Sequence, residues 1–312
     1  MFRKAVLCLA LIFQIVSTFD CRPRPEWRQT TLFVFDTVCD IKLLCTPSEF
    51  KAARECVVGV FQDIQEKFSP DAPDISSPLV LDLFRAAKKI HEDSDGAFDI
   101  TVKPLSRLWG FLNNSRYVPT PAHVREALDR VGMDRVKVEG ARLILPPGMG
   151  FDWGGIAKGL AVDVAVRALK ARGIARGFVN AGGDLYCWGK NPENSPWQVG
   201  IRHPRREGFL GILSLSDMGA ATSGDYQRYF ESEGVRYHHI FDPKTGYPAR
   251  GKQSVTVVGP KAAVCDALST ALFVNPDPEK ILKKYTGYGA IIVDDTGRVS
   301  TLGKNFDFRP GE

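Results

Sequence analysis

Apolar positions along this chain recur at two different spacings, and the switches between them predict its elements. β-Branched and apolar residues dominate 31–35 and 38–44, which predicts two strands. From 48 to 67 the spacing becomes that of an amphipathic helix, with Ser48 as expected N-cap and Glu49 in the first turn. Phe68-Ser69-Pro70-Asp71 ends it and begins a loop. Residues 79–93 predict a second helix closing before Asp95-Gly96, and 121–131 a third after Pro119-Thr120. Short runs at 136–138 and 143–145 flank Glu139-Gly140 as a hairpin. A helix entered through glycines follows at 156–171, then a strand at 177–180. Strands at 197–201, 212–215 and 254–258 precede a helix at 260–272, and 290–293 with 299–301 predict a last hairpin. The order predicts a mixed α/β (α+β) fold with antiparallel elements, too irregular for a barrel of repeating β/α units.

Composition narrows the class. The chain has 312 residues, 44% hydrophobic and 25% charged, which is ordinary for a globular protein with a substantial core. The formal charge of +5 is mild, and its basic residues are scattered apart from Arg202-His203-Pro204-Arg205-Arg206, which reads as a solvated loop. Nucleic-acid binding has no support. The first twenty residues differ: Arg3 and Lys4 precede an apolar run from 5 to 16 interrupted only by Gln14, too short to span a bilayer and fitting for a signal peptide. The expected organisation is therefore a leader at 1–20, a short tether at 21–30 and one domain at 31–312. Cys21 stands where the acylated cysteine of a lipoprotein would stand, which makes it a candidate lipid anchor, although Thr18-Phe19-Asp20 is not a small-residue lipobox. The seven cysteines form no CxxC pair or zinc spacing.

Four segments bring glycines, carboxylates and hydroxyls together. Asp95-Gly96-Ala97-Phe98-Asp99-Ile100-Thr101 pairs a tight turn with an extended stretch in which Asp99 and Thr101 alternate with apolar residues. Asp152-Trp153-Gly154-Gly155-Ile156-Ala157-Lys158-Gly159 opens a helix through glycines, which lets backbone approach a diphosphate at the positive end of the helix dipole, with Lys158 as a cation. It is neither a Walker A loop nor a GxGxxG turn. Asn180-Ala181-Gly182-Gly183-Asp184 is a further glycine-rich strand end. His239 and Ile240 precede the rigid turn Asp242-Pro243-Lys244-Thr245-Gly246, after the small polar segment 221–226. Asp266 and Thr270 lie four apart, on one face of a predicted helix, and a carboxylate beside a hydroxyl suits a hard cation such as Mg²⁺. Each segment alone also fits a bland reading: an edge-strand turn, a structural helix start, a core histidine, a surface hydrogen bond.

Taken in order, the four segments resemble the ApbE family of flavin transferases over nearly the whole chain, from Phe35-Asp36-Thr37 to Thr270-Ala271. The resemblance implies a two-lobed fold with FAD in a cleft between lobes. It implies Mg²⁺-dependent transfer of FMN from FAD to a Ser or Thr of target redox proteins in the membrane or periplasm, releasing AMP. On that likeness Asp266 and Thr270 are side-chain metal ligands, completed by the carbonyls of Gly155 and Ser269. Asp152, Lys158, Phe98, Asp99 and Ile240 match contacts to the flavin nucleotide. Phe35 and Asp36 replace the usual Met-Gly, and Phe68 stands near a family aromatic in a loop where Ala72-Pro73-Asp74 diverges. His239 is the candidate for proton transfer, because an imidazole ordinarily titrates near working pH. Asp266 is the second catalytic candidate. Two alternatives stay open: an FAD pyrophosphatase giving FMN and AMP, and a non-catalytic FAD-binding lipoprotein. The resemblance, with the leader, implies export to the periplasm, with Cys21 as candidate anchor to the inner membrane.

Overall fold

A computed structural model of the chain describes residues 23–69, 76–303 and 306–311. The expected leader, Cys21 and the divergent loop at 72–74 lie outside the described residues. Strands β1 (Glu26–Val34) and β2 (Thr37–Cys45) form a hairpin whose two-residue turn puts Phe35 and Asp36 at φ 57° and 54°. Positive φ at both central positions is the type I′ geometry that matches strand twist. On β2 the buried positions Cys39, Ile41, Leu43 and Cys45 alternate with more accessible ones.

Helix α1 (Pro47–Lys67) starts one residue before the expected Ser48 cap. Thr46 is the N-cap: its hydroxyl accepts from Glu49 N, and the Glu49 carboxylate accepts from Thr46 N at 2.7 Å. Pro47 sits at N1, where a missing N–H costs nothing. Helices α2 (Pro78–Asp93), α3 (Lys103–Leu108) and α4 (Pro121–Leu128) follow, α4 ending three residues earlier than expected. Next come β3 (Lys137–Glu139) and β4 (Arg142–Ile144), α5 (Ala157–Ala171), β5 (Gly177–Ala181), β6 (Asp184–Trp188), β7 (Trp197–Arg202) and β8 (Phe209–Leu215). The remainder is β9 (Met218–Gly224), β10 (Tyr229–Ser232), β11 (Val235–His238), β12 (Lys252–Gly259), α6 (Ala262–Val274), α7 (Pro278–Leu282), β13 (Gly289–Asp294), β14 (Val299–Leu302) and β15 (Asp307–Pro310). The mixed α/β class expected from the pattern is what the chain forms.

Eight strands build one antiparallel sheet in the order β1-β2-β5-β6-β9-β12-β13-β14. Its two faces carry different cores. On β13, Ala290 and Ile292 pack into the helical core, and Ile291 and Val293 pack with Trp197, Leu213 and Leu215 of the small β15-β8-β7 sheet. A third apolar cluster, built on Trp109 with Leu105, Phe111, Val124 and Phe241, joins α3 and α4 to the β10–β11 hairpin. Helix α6 lies against the sheet and under α5 and α2, and ten of its thirteen residues are buried. A helix apolar all round belongs in the middle of a core.

The segment at 99–101, expected to be extended, is a turn. The Asp99 side chain accepts from Thr101 N at 2.7 Å and Thr101 Oγ1 at 2.5 Å, which closes the backbone locally. Among the described residues no helix is long and apolar enough to cross a membrane, and Cys39, Cys45, Cys56, Cys187 and Cys265 are free thiols.

Candidate active site

The entrance to α5 is set by Asp152. Its Oδ1 accepts from Gly154 N at 3.0 Å and its Oδ2 accepts from Ser106 Oγ at 2.7 Å, so the carboxylate holds the glycine turn against α3. Within the first turn of the helix, Gly159 meets the start of α6. A Cβ there would lie 2.5 Å from the Ala262 carbonyl oxygen and 2.6 Å from Ala263 Cα. Only glycine lets the two helices approach this closely. Asp163 then caps α6, accepting from Ala262 N at 2.8 Å and Ala263 N at 3.0 Å.

This crossing brings Lys158, Asp184 and Asp266 together. Lys158 Nζ lies 2.7 Å from Asp184 Oδ2 and 3.7 Å from Asp266 Oδ2, and donates to the Gly154 carbonyl at 3.1 Å. The contact to Asp184 is a short ion pair that partners its buried Oδ2. The Gly159 N–H, which an unbroken helix would direct to the Gly155 carbonyl, donates instead to Asp266 Oδ2 at 3.3 Å. Burial raises the pKa of Asp266 well above the usual carboxylate range, and the Asp184 charge adds to this against the pull of Lys158. For Lys158 burial pulls the pKa down, and Asp184 and Asp266 overcome that to hold it above the ordinary lysine value. Lys158 is thus a neutralised cation within a carboxylate pair.

Two buried carboxylates share one lysine, so Asp266 gives up its proton with difficulty unless a further cation joins the site. On the next turn of α6, Thr270 Oγ1 lies beside Gly155, 3.2 Å from where a Cβ on that glycine would stand. Ser269 is fully buried, its Oγ donating to the Asp266 carbonyl at 2.8 Å. The donors here are oxygens from carboxylate, hydroxyl and backbone carbonyl, the set a hard divalent cation selects. This donor set, and a carboxylate at Asp266 whose charge lacks full compensation, fit a cation beside Asp266 and Thr270. No group of three or more His, Cys, Asp or Glu among the described residues offers a metal cage, so the fit rests on this mixed set.

Asp266, Thr270, Gly155 and Lys158 line a cleft of about 1670 Å³ that also takes in Phe35, Phe68, Phe98, Asp152, His239 and Ile240. That exceeds the roughly 300–1,000 Å³ of pockets for drug-sized ligands. Phe68 packs edge-on to Trp153 at 5.1 Å, and Trp153 Nε1 is buried with no partner. Phe35 donates its N–H to Gln65 Oε1 at 2.9 Å and leans on Phe61. Phe98 is buried with its ring against Gly155. Asp99 reaches the cleft wall, but its oxygens are engaged: Oδ1 holds Thr101, and Oδ2 accepts from Met133 N at 3.1 Å. Ile240 is buried and pairs with Ala249 through its backbone.

His239 is half-buried. Its Nδ1 faces the Arg228 carbonyl at 3.2 Å, an acceptor, so Nδ1 carries the proton and Nε2 the free lone pair. Burial and then the Arg228 charge lower its pKa to about 3, so it does not titrate near neutrality as the sequence suggested, and the imidazole is neutral at working pH. Sequence reading gave no role to Asp184, Ser223, Gly159 or Asp163. The only signal for Asp184 was a carboxylate closing the glycine-rich strand end at 180–184.

A sequence profile of the ApbE family matches residues 35–292. A relative from Haemophilus influenzae named FAD:protein FMN transferase is 38% identical over 199 residues, 60% of this chain and 58% of that protein. In two further relatives of that name the match spans 61% and 62% of the relative's length, so the chain spans about three fifths of these curated relatives. A relative of the same name from Treponema pallidum is 31% identical over 304 residues, covering 85% of this chain and 84% of its own. Among solved structures, an ApbE protein from Thermotoga maritima superposes with a TM-score of 0.82 at 34% identity, covering 89% of this chain and 97% of its own.

Proposed function

The chain belongs to the ApbE family, and from that membership and the geometry of its cleft we propose that it is an enzyme transferring FMN from FAD to a Ser or Thr hydroxyl of a target redox protein, with release of AMP. The observation that carries this reading is the face of α6 bearing Asp266 and Thr270, set against the glycine turn and Lys158 at the entrance to α5. Asp266 and Thr270, with the carbonyls of Gly155 and Ser269, are the groups that would hold Mg²⁺. The metal when bound supplies charge neutralisation at the pyrophosphate.

In the proposed reaction the acceptor oxygen bonds to the FMN phosphorus, the pyrophosphate P–O bond breaks, and AMP departs with the electron pair. Lys158 keeps the carboxylates of Asp184 and Asp266 apart in charge and fixed in place. Asp152 holds Gly154 and so orients the turn toward the phosphates. His239, neutral and with Nε2 free, accepts the hydrogen bond of the incoming hydroxyl and orients it for attack, while its low pKa leaves the hydroxyl proton to pass to solvent as the bond to phosphorus forms. Phe35, Phe68, Phe98 and Ile240 provide apolar surface for the flavin and adenine rings. The capacity of the cleft leaves room for an acceptor segment beside the dinucleotide. The basic, then apolar, first twenty residues support export to the periplasm, and Cys21 is the proposed lipid anchor; mass spectrometry of the mature N-terminus tests both.

The decisive experiment incubates the full chain with FAD, Mg²⁺ and an acceptor flavoprotein domain, following AMP and covalently bound flavin. AMP with flavin on the acceptor is the expected result. AMP with free FMN alone would replace the transferase by an FAD pyrophosphatase, and retained FAD without AMP would leave a flavin-binding protein.

A further inference from the structure

Three hydroxyls meet behind the proposed cation site. Ser223 Oγ, on β9, lies 2.8 Å from Ser269 Oγ and 3.0 Å from Thr270 Oγ1, and Ser269 Oγ donates to the Asp266 carbonyl at 2.8 Å. Each hydroxyl has one proton to donate. The carbonyl can only accept, so the Ser269 proton is committed to it. Ser269 must then accept from Ser223, because two oxygens 2.8 Å apart with no proton between them would repel. With its own proton so directed, Ser223 can only accept from Thr270. One order satisfies all three contacts: Thr270 to Ser223, Ser223 to Ser269, Ser269 to the Asp266 carbonyl.

We propose that Ser223 is a positioning residue for the cation site: it takes the Thr270 proton and thereby turns the Thr270 lone pairs toward Gly155 and the cleft. The inference rests on the proposed function, which makes Thr270 a metal ligand. Ser223 is suited to the task because it cannot drift. It is 8% exposed, and its backbone is paired with Val255 in the middle of the large sheet. Ser269, fully buried, anchors the far end of the relay on the same helix that carries Asp266 and Thr270. Without an acceptor at 223, the Thr270 hydroxyl is free to point its proton where a cation needs a lone pair.

The test is Mn²⁺ binding to the full chain, read by electron paramagnetic resonance without FAD or acceptor, for wild type, Ser223→Ala, Ser223→Cys and Thr270→Ala. Outer-sphere partners of metal ligands typically govern about 10–100-fold in affinity, and a neutral relay belongs at the low end. Ser223→Ala is expected to weaken Mn²⁺ about tenfold, with an unchanged melting temperature of the metal-free protein. Ser223→Cys keeps the side-chain size and supplies only a weak donor and acceptor; it is expected to weaken binding in the same direction, and it decides the matter if the alanine variant does not fold. Wild-type affinity in a folded Ser223 variant, alongside loss in Thr270→Ala, overturns the relay and leaves the proposed function standing. A wild-type chain that binds no Mn²⁺ removes both.

Discussion

Replacing Gly159 by alanine tests the tight crossing of α5 and α6 on which the site depends. The added Cβ would stand 2.5 Å from the Ala262 carbonyl oxygen and 2.6 Å from Ala263 Cα, where ordinary contact begins at 3.4 Å. Both obstacles are backbone atoms at a capped helix start, so no side-chain rotation relieves the overlap. The helices must separate, which strains or breaks the bonds from Asp163 to Ala262 N and Ala263 N and from Gly159 N to Asp266. Overpacking of this kind costs about 1–3 kcal/mol, and a weakened cap about 1 kcal/mol more. Alanine's better helix propensity returns about 1 kcal/mol. The expected net loss is therefore roughly 1–3 kcal/mol. Gly59 is the control: it is exposed within α1, a Cβ there meets nothing within 4 Å, and Gly59→Ala should stabilise by about 0.5–1 kcal/mol. Urea unfolding of both variants, compared by midpoint at unchanged slope, reads the two signs directly. If Gly159→Ala stabilises as much as Gly59→Ala, the crossing is not sterically limited and this account of the site's assembly is wrong.

Two further outcomes follow from buried ionisable groups. Asp266 has a folded pKa well above its unfolded one, so it favours the fold at low pH and loses that contribution as pH rises. Asp266→Asn should therefore raise the melting temperature of the metal-free protein at pH 7 while reducing Mn²⁺ affinity beyond the roughly 100-fold upper end for an outer-sphere partner; a less stable variant, or one that binds as wild type, contradicts this. Burial holds His238 at about 4 and His239 at about 3, below the ordinary 6.5. Their contribution to stability is present above pH 6.5 and lost as pH falls toward those values, at up to about 1.4 kcal/mol per pH unit for each. Ring resonances of both should stay unshifted between pH 7.5 and 5.5 in an NMR titration, and a midpoint near 6.5 for either would refute the assignment.

Local periodicity in the sequence determined much of this molecule. The alternation of 38–44 became β2, and the helical spacing after residue 47 became α1. The four-residue interval from Asp266 to Thr270 put both on one face of α6, because helix geometry alone dictates it. Strands β6 and β9 carry no readable strand pattern, because one is short and follows two glycines, and the other, Met218–Gly224, is built of small residues without a β-branched run. The site's partners were decided only by tertiary structure. Asp184 meets Lys158 because β6 joins β9 in the sheet beneath α5, and Ser223 meets Thr270 across 47 residues of chain. Asp99, read as a nucleotide contact, has its oxygens engaged by Thr101 and Met133, and Lys158, read as a cation for phosphate, is neutralised by carboxylates from two other elements. Periodicity reports which way a side chain faces from its own element. What it meets there depends on which distant segment the sheet order and helix crossings bring opposite, and no local pattern encodes that.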